Sequence, residues 1–163
     1  MARCVLVGLP GTGKTTVARG LAQRWGCAAL DTDELLSASM GCSAPEYLRT
    51  RGEDEFRRAE LEALRRAVDS DGVVATGGGV VTTPAARELL GREFTVWLDC
   101  EDAVILGRLS EGDRPLLGAD PATSLARLRR GRSGFYREVS RARVDANGLL
   151  DVVIERVLQV LQA

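Results

Sequence analysis

A phosphate-binding loop near the start of the chain limits the folds that this sequence can adopt. The motif Gly-x-x-x-x-Gly-Lys-Thr spans residues 8–15. A short apolar run at residues 3–7 is typical of a buried strand, and residues 15–25 carry apolar side chains at helical spacing. Because a strand, the glycine loop and a helix follow one another in the order that this motif requires, the sequence predicts an α/β domain that binds a nucleoside triphosphate.

Each residue type in the loop suits a polyphosphate. Glycines let backbone N–H groups approach the phosphates closely, and the first helical turn adds unpaired N–H groups and a positive dipole end. The Lys14 ammonium would reach the β- and γ-phosphates, and the Thr15 hydroxyl would help to hold Mg²⁺. Lys14 is the only lysine among 22 basic residues, at a position where a compact point charge is suitable. We therefore expect ATP to contact Gly11, Thr12, Gly13, Lys14, Thr15 and Thr16; the alternative is a glycine-rich turn without a ligand.

Length and composition narrow the remaining classes. With 163 residues we expect a single domain, 1–163, and a monomer. The formal net charge of −1 argues against nucleic-acid or membrane-surface partners, and no apolar run approaches the roughly 20 residues of a membrane span, so we expect a cytoplasmic protein. The four cysteines are scattered and histidine is absent from the sequence, which disfavours a zinc site and leaves carboxylates or water as general bases.

The order of the later segments predicts a mainly parallel sheet covered by helices on both faces. A second strand, 27–30, ends at Asp31-Thr32-Asp33, where open α/β sheets place ligands. On an extended strand Asp31 and Asp33 would share one face. Asp31 could reach Mg²⁺, whereas Asp33 could instead cap the helix predicted at 34–40.

Two further segments carry candidate ligand contacts. The predicted helix 53–68 alternates arginines with glutamates, and an arginine held by Glu60, such as Arg57, could point inward at an anion, although spacing alone does not select it. The strand 73–76 runs into three glycines, 77–79, which favours a backbone that a ligand approaches closely over a flexible turn.

The C-terminal half contains a loop between helices. Residues 110–120 break the periodicity, and Arg114 in this segment could be the cation of a lid over the transferring phosphate, or a surface arginine in an ordinary loop. A helix predicted at 84–90 should stop at Gly91, and the helix that starts at Pro121 should break near Ser133-Gly134. A short edge strand at 143–146 and a helix at 149–161 complete the pattern.

Nearly end to end, these motifs resemble the shikimate kinase family. The matching segments are 8–15, 31–33, 52–60, 77–79, 114–117 and 132–136. The phosphate loop is shared by many enzymes, but Gly-Glu-x-x-Phe-Arg-x-x-Glu combined with the triple glycine is far more specific. The resemblance implies a three-layer α/β/α fold of the P-loop kinase type, with a five-stranded parallel sheet in the order 2-3-1-4-5. It also implies a substrate-binding segment at about 32–60 and a lid at about 110–120.

The resemblance further implies transfer of the γ-phosphoryl group of ATP to the 3-hydroxyl of shikimate, with Mg²⁺, in the pathway to chorismate and the aromatic amino acids. Asp33 would bind the acceptor hydroxyl and act as its base, and Arg57, held by Glu60, would clasp the carboxylate together with Arg132. The implied catalytic residues are Lys14, Asp33 and Arg114, the implied substrate contacts are Asp33, Arg57, Gly78, Gly79 and Arg132, and the implied Mg²⁺ residues are Thr15 and Asp31. Arg108 and Arg114 complete the expected ATP site, with Arg108 stacking on adenine by a cation–π contact.

Two departures from the family pattern and three alternatives stay open. Gly134 and Phe135 stand where the pattern Arg-x-Pro-Leu-Tyr has proline and leucine, which could loosen the segment that presents Arg132. Residues 146–149 lack the usual arginine or proline beside adenine, so no adenine contact is assigned there. The alternatives are a gluconate kinase, a nucleotide kinase or a non-catalytic ATP-binding relative. A GTP-dependent switch would need Asn-Lys-x-Asp, which is impossible when Lys14 is the only lysine.

Overall fold

The computed structural model describes residues 1–110 and 117–163. The strands are β1 Cys4–Val7, β2 Ala29–Asp31, β3 Val73–Ala75, β4 Thr95–Asp99 and β5 Ala142–Asp145. The helices are α1 Lys14–Trp25, α2 Thr32–Met40, α3 Ala44–Arg51, α4 Glu53–Val68, α5 Pro84–Arg92, α6 Asp102–Ser110, α7 Pro121–Val139 and α8 Leu150–Gln162, and a 3₁₀ turn spans Val80–Thr82.

The five strands form one parallel sheet in the order β2-β3-β1-β4-β5, which confirms the fold class. Val5 in the central strand is in register with Val74 on one side and Thr95 on the other. The strands are parallel because helices connect each strand to the next and return the chain to the end of the sheet where the previous strand began.

The core lies on both faces of the sheet. Every residue of β1, β3 and β4 is buried, as expected for strands that are covered on both sides. Helix α1 packs with α8, whereas α5 packs with α4 and α7. A separate small apolar cluster of Leu36, Phe56 and Ala63 joins α2 to α4. This second cluster fixes the start of α4, where Arg57 lies.

Two predicted helix ends are wrong. Helix α7 continues through Ser133 and Gly134 to Val139, and α5 continues past Gly91. Glycine costs a helix only about 1 kcal/mol relative to alanine. Burial of Tyr136 and Val139 beyond the glycine offsets that cost in α7.

Among the described residues, none of the helices combines the length and the apolar character needed to cross a membrane.

Candidate active site

The carboxyl ends of β1, β2 and β3 bring three loops to one edge of the sheet, where open α/β sheets bind ligands. The first of these is the phosphate loop. Gly11 and Gly13 have φ angles of 79° and 92°, a region that other residues rarely adopt. Gly8 has no room for a side chain, since a β-carbon there would lie 2.3 Å from the carbonyl oxygen of Leu98.

Lys14 is buried at the first turn of α1. Its Nζ donates hydrogen bonds of 2.8 Å to the carbonyl oxygens of Gly8 and Leu9. Burial lowers the pKa of Lys14 to about 8, while the carboxylates of Asp33 and Asp31 oppose this change. Burial therefore disfavours the charged form of Lys14, and a nearby anion would stabilise it.

Asp31 joins the phosphate loop to the end of β2. The Thr15 hydroxyl donates a hydrogen bond to Asp31 Oδ2. Asp31 Oδ1 accepts the backbone N–H groups of Asp33 at 2.8 Å and Glu34 at 3.4 Å. Asp31, and not Asp33, is thus the N-cap of α2. The expectation that both aspartates share one face of a strand is wrong, because α2 already begins at Thr32.

The pair formed by Thr15 and Asp31 fits a magnesium ion. A hydroxyl and a carboxylate are hard oxygen ligands, and Mg²⁺ is commonly bound by one or two such groups together with substrate phosphates. The hydrogen bond between the two side chains already brings their oxygen atoms together beside the loop.

The glycine turn, residues 77–79, contacts the start of α2 at Thr32 and Asp33. The Gly77 N–H donates to the Thr32 hydroxyl oxygen at 3.0 Å, and a β-carbon on Gly77 would lie 2.5 Å from Asp33 Oδ1. Asp33 therefore lies directly against the turn. Sequence reasoning missed Thr32, although its position between the two aspartates was an available signal.

Arg57 reaches the same turn from α4. Its Nη1 donates to Glu60 Oε1 at 2.8 Å and to the carbonyl oxygen of Gly79 at 3.3 Å. The Glu60 side chain is 5% exposed, and burial raises its pKa while Arg57 opposes the rise. The buried Nε of Arg57 has no hydrogen-bond partner among the described residues, although a Glu53 oxygen lies 3.8 Å away.

Arg132 approaches the turn from α7. A β-carbon on Gly78 would lie 3.3 Å from Arg132 Nη1, and one on Gly79 would lie 3.3 Å from Arg132 Nη2 and 2.8 Å from Arg57 Nη1. Two guanidinium groups therefore occupy the space beside Gly78 and Gly79 that side chains would otherwise fill. Together they form a positive pocket wall suited to a carboxylate.

The other arginines of α7 are directed elsewhere. Arg127 and Arg130 are exposed. Arg129 donates to Asp99 Oδ1 at 2.8 Å and to Asp102 Oδ1 at 2.7 Å. Within this run, Arg132 is the member that contacts the glycine turn.

Tyr136 of α7 contacts the glycine turn through a hydrogen bond. Its hydroxyl donates to the Gly78 carbonyl oxygen at 2.7 Å. Burial raises the pKa of Tyr136 to about 12, so the hydroxyl stays protonated and remains a donor. Sequence reasoning did not assign a role to this residue, although it is the tyrosine of the family pattern Arg-x-Pro-Leu-Tyr.

A cavity of about 310 Å³ lies beside the phosphate loop. Its lining combines Thr12, Gly13, Thr16 and Arg108 with the loop after β5, which contributes Gly148 and Leu149. Arg108 donates to the carbonyl oxygens of Gly11 at 3.3 Å and Ala146 at 3.0 Å, and so joins the two sides. Arg114, the predicted lid cation, lies outside the described residues.

Comparison with known proteins agrees with this geometry. The family model for shikimate kinase matches residues 10–162. The chain belongs to the shikimate kinase family. A shikimate kinase from Mycobacterium ulcerans is 45% identical over 148 residues, which cover 89% of this chain and 80% of that protein. A shikimate kinase from Symbiobacterium thermophilum is 42% identical over 167 residues, covering 97% and 95%. The solved structure of a shikimate kinase from Acinetobacter baumannii in complex with shikimate has a TM-score of 0.90 and 34% identity, covering 98% of this chain and 92% of that one.

The departures from the shikimate kinase pattern leave α7 intact. Gly134 lies inside the continuous helix, and a β-carbon there would meet nothing within 4 Å. Phe135 lies under the guanidinium of Arg87, 4.1 Å from the ring centroid. The helix that presents Arg132 is therefore held by packing without the proline of the family pattern.

Proposed function

We propose that this protein is an ATP-dependent shikimate kinase, which converts ATP and shikimate into ADP and shikimate 3-phosphate. One observation carries the proposal. Arg57 and Arg132 converge on the same glycine turn that Asp33 contacts. This turn lies against the phosphate loop, since a β-carbon on Gly78 would lie 3.4 Å from the carbonyl oxygen of Gly8, which accepts a hydrogen bond from Lys14 Nζ. A carboxylate clamp, a candidate base and a phosphate loop therefore share one site.

Binding of the acceptor follows from the charges. Shikimate is a small cyclic polyol with one carboxylate, and a guanidinium group matches a carboxylate with two parallel hydrogen bonds. Arg57 is oriented by Glu60, and Arg132 lies against the same glycine turn, so both would bind the acid group. Backbone groups of Gly78 and Gly79 would contact the ring of the substrate, since neither has a side chain in the way.

Phosphoryl transfer requires positioning and charge neutralisation more than covalent chemistry by the protein. The Asp33 carboxylate would orient the acceptor hydroxyl and take its proton as the oxygen–phosphorus bond forms. The bond from the γ-phosphorus to the oxygen bridging to the β-phosphate breaks, and that oxygen leaves on ADP. Lys14 would neutralise charge on the β- and γ-phosphates throughout.

Thr15 and Asp31 would hold Mg²⁺, which neutralises charge on the phosphate oxygens when it is bound. Thr12 and Gly13 would direct backbone N–H groups at the phosphates. Arg108 would stack on adenine at the wall of the 310 Å³ cavity. We also propose that Arg114 covers the transferring phosphate, as the family resemblance implies.

We also propose that the enzyme works as a monomer. All four cysteines are free thiols, as in proteins of a reducing compartment, and ATP is the co-substrate. We therefore propose that the enzyme acts in the cytoplasm, in aromatic amino acid biosynthesis.

An ADP-release assay tests the proposal with shikimate, gluconate and nucleoside monophosphates as acceptors. We expect turnover with shikimate; turnover with another acceptor and none with shikimate would refute it. The Asp33→Asn variant should bind ATP with unchanged affinity and lose phosphoryl transfer. Unchanged turnover in that variant would remove Asp33 from the mechanism.

A further inference from the structure

Helix α7 is joined to the glycine turn at two points, and the first is Tyr136. Its hydroxyl donates to the Gly78 carbonyl oxygen at 2.7 Å, and its ring packs against Trp97 at a centroid distance of 5.8 Å. Residues four apart lie on the same side of a helix, so Tyr136 is the neighbour of Arg132 one turn along. Tyr136 therefore links the backbone of the glycine turn to the part of α7 that carries Arg132.

The second point lies just beyond the turn and uses Arg87 of α5. Arg87 Nη1 donates to the carbonyl oxygen of Val81 at 2.8 Å, within the 3₁₀ turn that follows the three glycines. The same guanidinium lies 4.1 Å from the ring centroid of Phe135, and its Nε lies 3.4 Å from Glu138 Oε1. Only 17% of the Arg87 side chain is exposed, so its contacts with Val81 and Phe135 are largely shielded from water, whereas the Glu138 side chain is 58% exposed.

The residue at 135 gives this chain a contact that leucine could not make. An arginine above an aromatic ring gains a cation–π attraction, which becomes stronger as the pair is removed from water. Phe135 therefore provides a fixed point on α7, next to the position where Gly134 replaces proline and gives up backbone rigidity.

We propose that Tyr136 and the Arg87–Phe135 pair together position Arg132 for the carboxylate of the acceptor. We call these three residues the α7 tether. None of them is proposed to touch a reacting atom, so they are positioning residues. The inference rests on the proposed function, because it concerns how tightly the acid group of shikimate is held.

The Tyr136→Phe variant tests the first point, because it removes one hydroxyl and keeps the ring. We expect the KM for shikimate to rise about fivefold, the factor that corresponds to one ordinary hydrogen bond, with the KM for ATP unchanged. Thr95→Val is a matched control, since the buried Thr95 hydroxyl also donates to a backbone carbonyl oxygen, that of Leu90, at 2.7 Å. Thr95 lies at the opposite end of the sheet, so the control should lose stability without a change in the KM for shikimate.

Arg87→Ala tests the second point, with Arg141→Ala as its control. Arg141 also lies over a phenylalanine, Phe94, at 5.3 Å, but away from the glycine turn. We expect Arg87→Ala to raise the KM for shikimate several-fold and Arg141→Ala to leave it unchanged.

A double variant separates positioning from general weakening of the fold. If Tyr136 acts through Arg132, Tyr136→Phe should raise the KM for shikimate much less in an Arg132→Ala background than in the wild-type protein. Full multiplication of the two effects would overturn the inference, as would an equal rise in Thr95→Val or in the KM for ATP. Absence of shikimate turnover in the wild-type protein would overturn the proposed function and this inference with it, whereas wild-type turnover with a multiplicative double variant would overturn the inference alone.

Discussion

Replacement of Arg57 by alanine tests the carboxylate clamp directly. The guanidinium would form a charge-assisted pair with the acid group of shikimate, and hydrogen bonds to charged groups are worth about 1.5–3 kcal/mol. Loss of that pair corresponds to a rise of about 10- to 150-fold in the KM for shikimate. The affinity for ATP should stay unchanged, since Arg57 contacts Glu60 and the glycine turn and not the phosphate loop.

The same substitution should also destabilise the fold through Glu60. Removal of one partner from a buried ion pair costs about 3–5 kcal/mol, and the 24% exposure of the Arg57 side chain reduces the expected cost to about 2–3 kcal/mol. Burial already raises the pKa of Glu60, and without Arg57 this pKa rises further. A carboxyl group whose pKa is raised by folding favours the folded state below its unfolded pKa of about 4.3 and loses that contribution as pH rises through the folded pKa. The loss of stability should therefore be larger at pH 8 than at pH 5.

Steady-state kinetics and urea unfolding measure the two effects separately. KM values for shikimate and ATP come from the ADP-release assay at pH 8, and unfolding is followed at both pH values. Arg65→Ala is the matched control, because Arg65 lies on the same helix and pairs with Glu62 at 3.8 Å, with both side chains more than half exposed. The reasoning would be refuted if Arg57→Ala raised the KM for shikimate no more than Arg65→Ala, or if the KM for ATP rose equally.

Three further predictions concern the rest of the site. Gly79→Ala should fold normally, because Gly79 has a φ of −90°. It should raise the KM for shikimate, since the new β-carbon would lie 2.8 Å from Arg57 Nη1. An unchanged KM would contradict the placement of the clamp. Asp31→Asn keeps a side chain that can cap α2, so the melting temperature of this variant should change little. The Mg²⁺ concentration needed for the half-maximal rate should rise several-fold, and equal Mg²⁺ dependence would remove Asp31 from the metal site. Burial lowers the pKa of Lys14 to about 8, so ATP binding at pH 9 should be accompanied by uptake of a proton. Calorimetry in buffers of different ionisation enthalpy measures this uptake. It should be absent at pH 7 and in Lys14→Met.

Local sequence signals predicted some elements closely. Helix α4 has the predicted bounds of 53 and 68, because glycine precedes it and charged and apolar residues alternate at helical spacing. The predicted break in α7 was wrong for a physical reason. The low helix propensity of Gly134 is a small local effect, and the burial of Tyr136 two residues later outweighs it.

The sequence by itself determined the fold class and the phosphate loop, since both depend on short-range patterns: a strand, a glycine loop and a helix, repeated with further strands and helices. Resemblance of its motifs added the residues expected to bind the acceptor. Only the tertiary structure showed that Arg57 and Arg132 lie together against the glycine turn. Arg57 and Arg65 each begin an Arg-Arg-Ala run, yet Arg57 reaches the glycine turn and Arg65 is exposed, because packing of α2 against α4 sets the rotation of that helix. Contacts across distant segments, such as that of Tyr136 with Gly78, arise from the packing of α7 against β4 and the 3₁₀ turn, and they leave no periodic pattern in the chain.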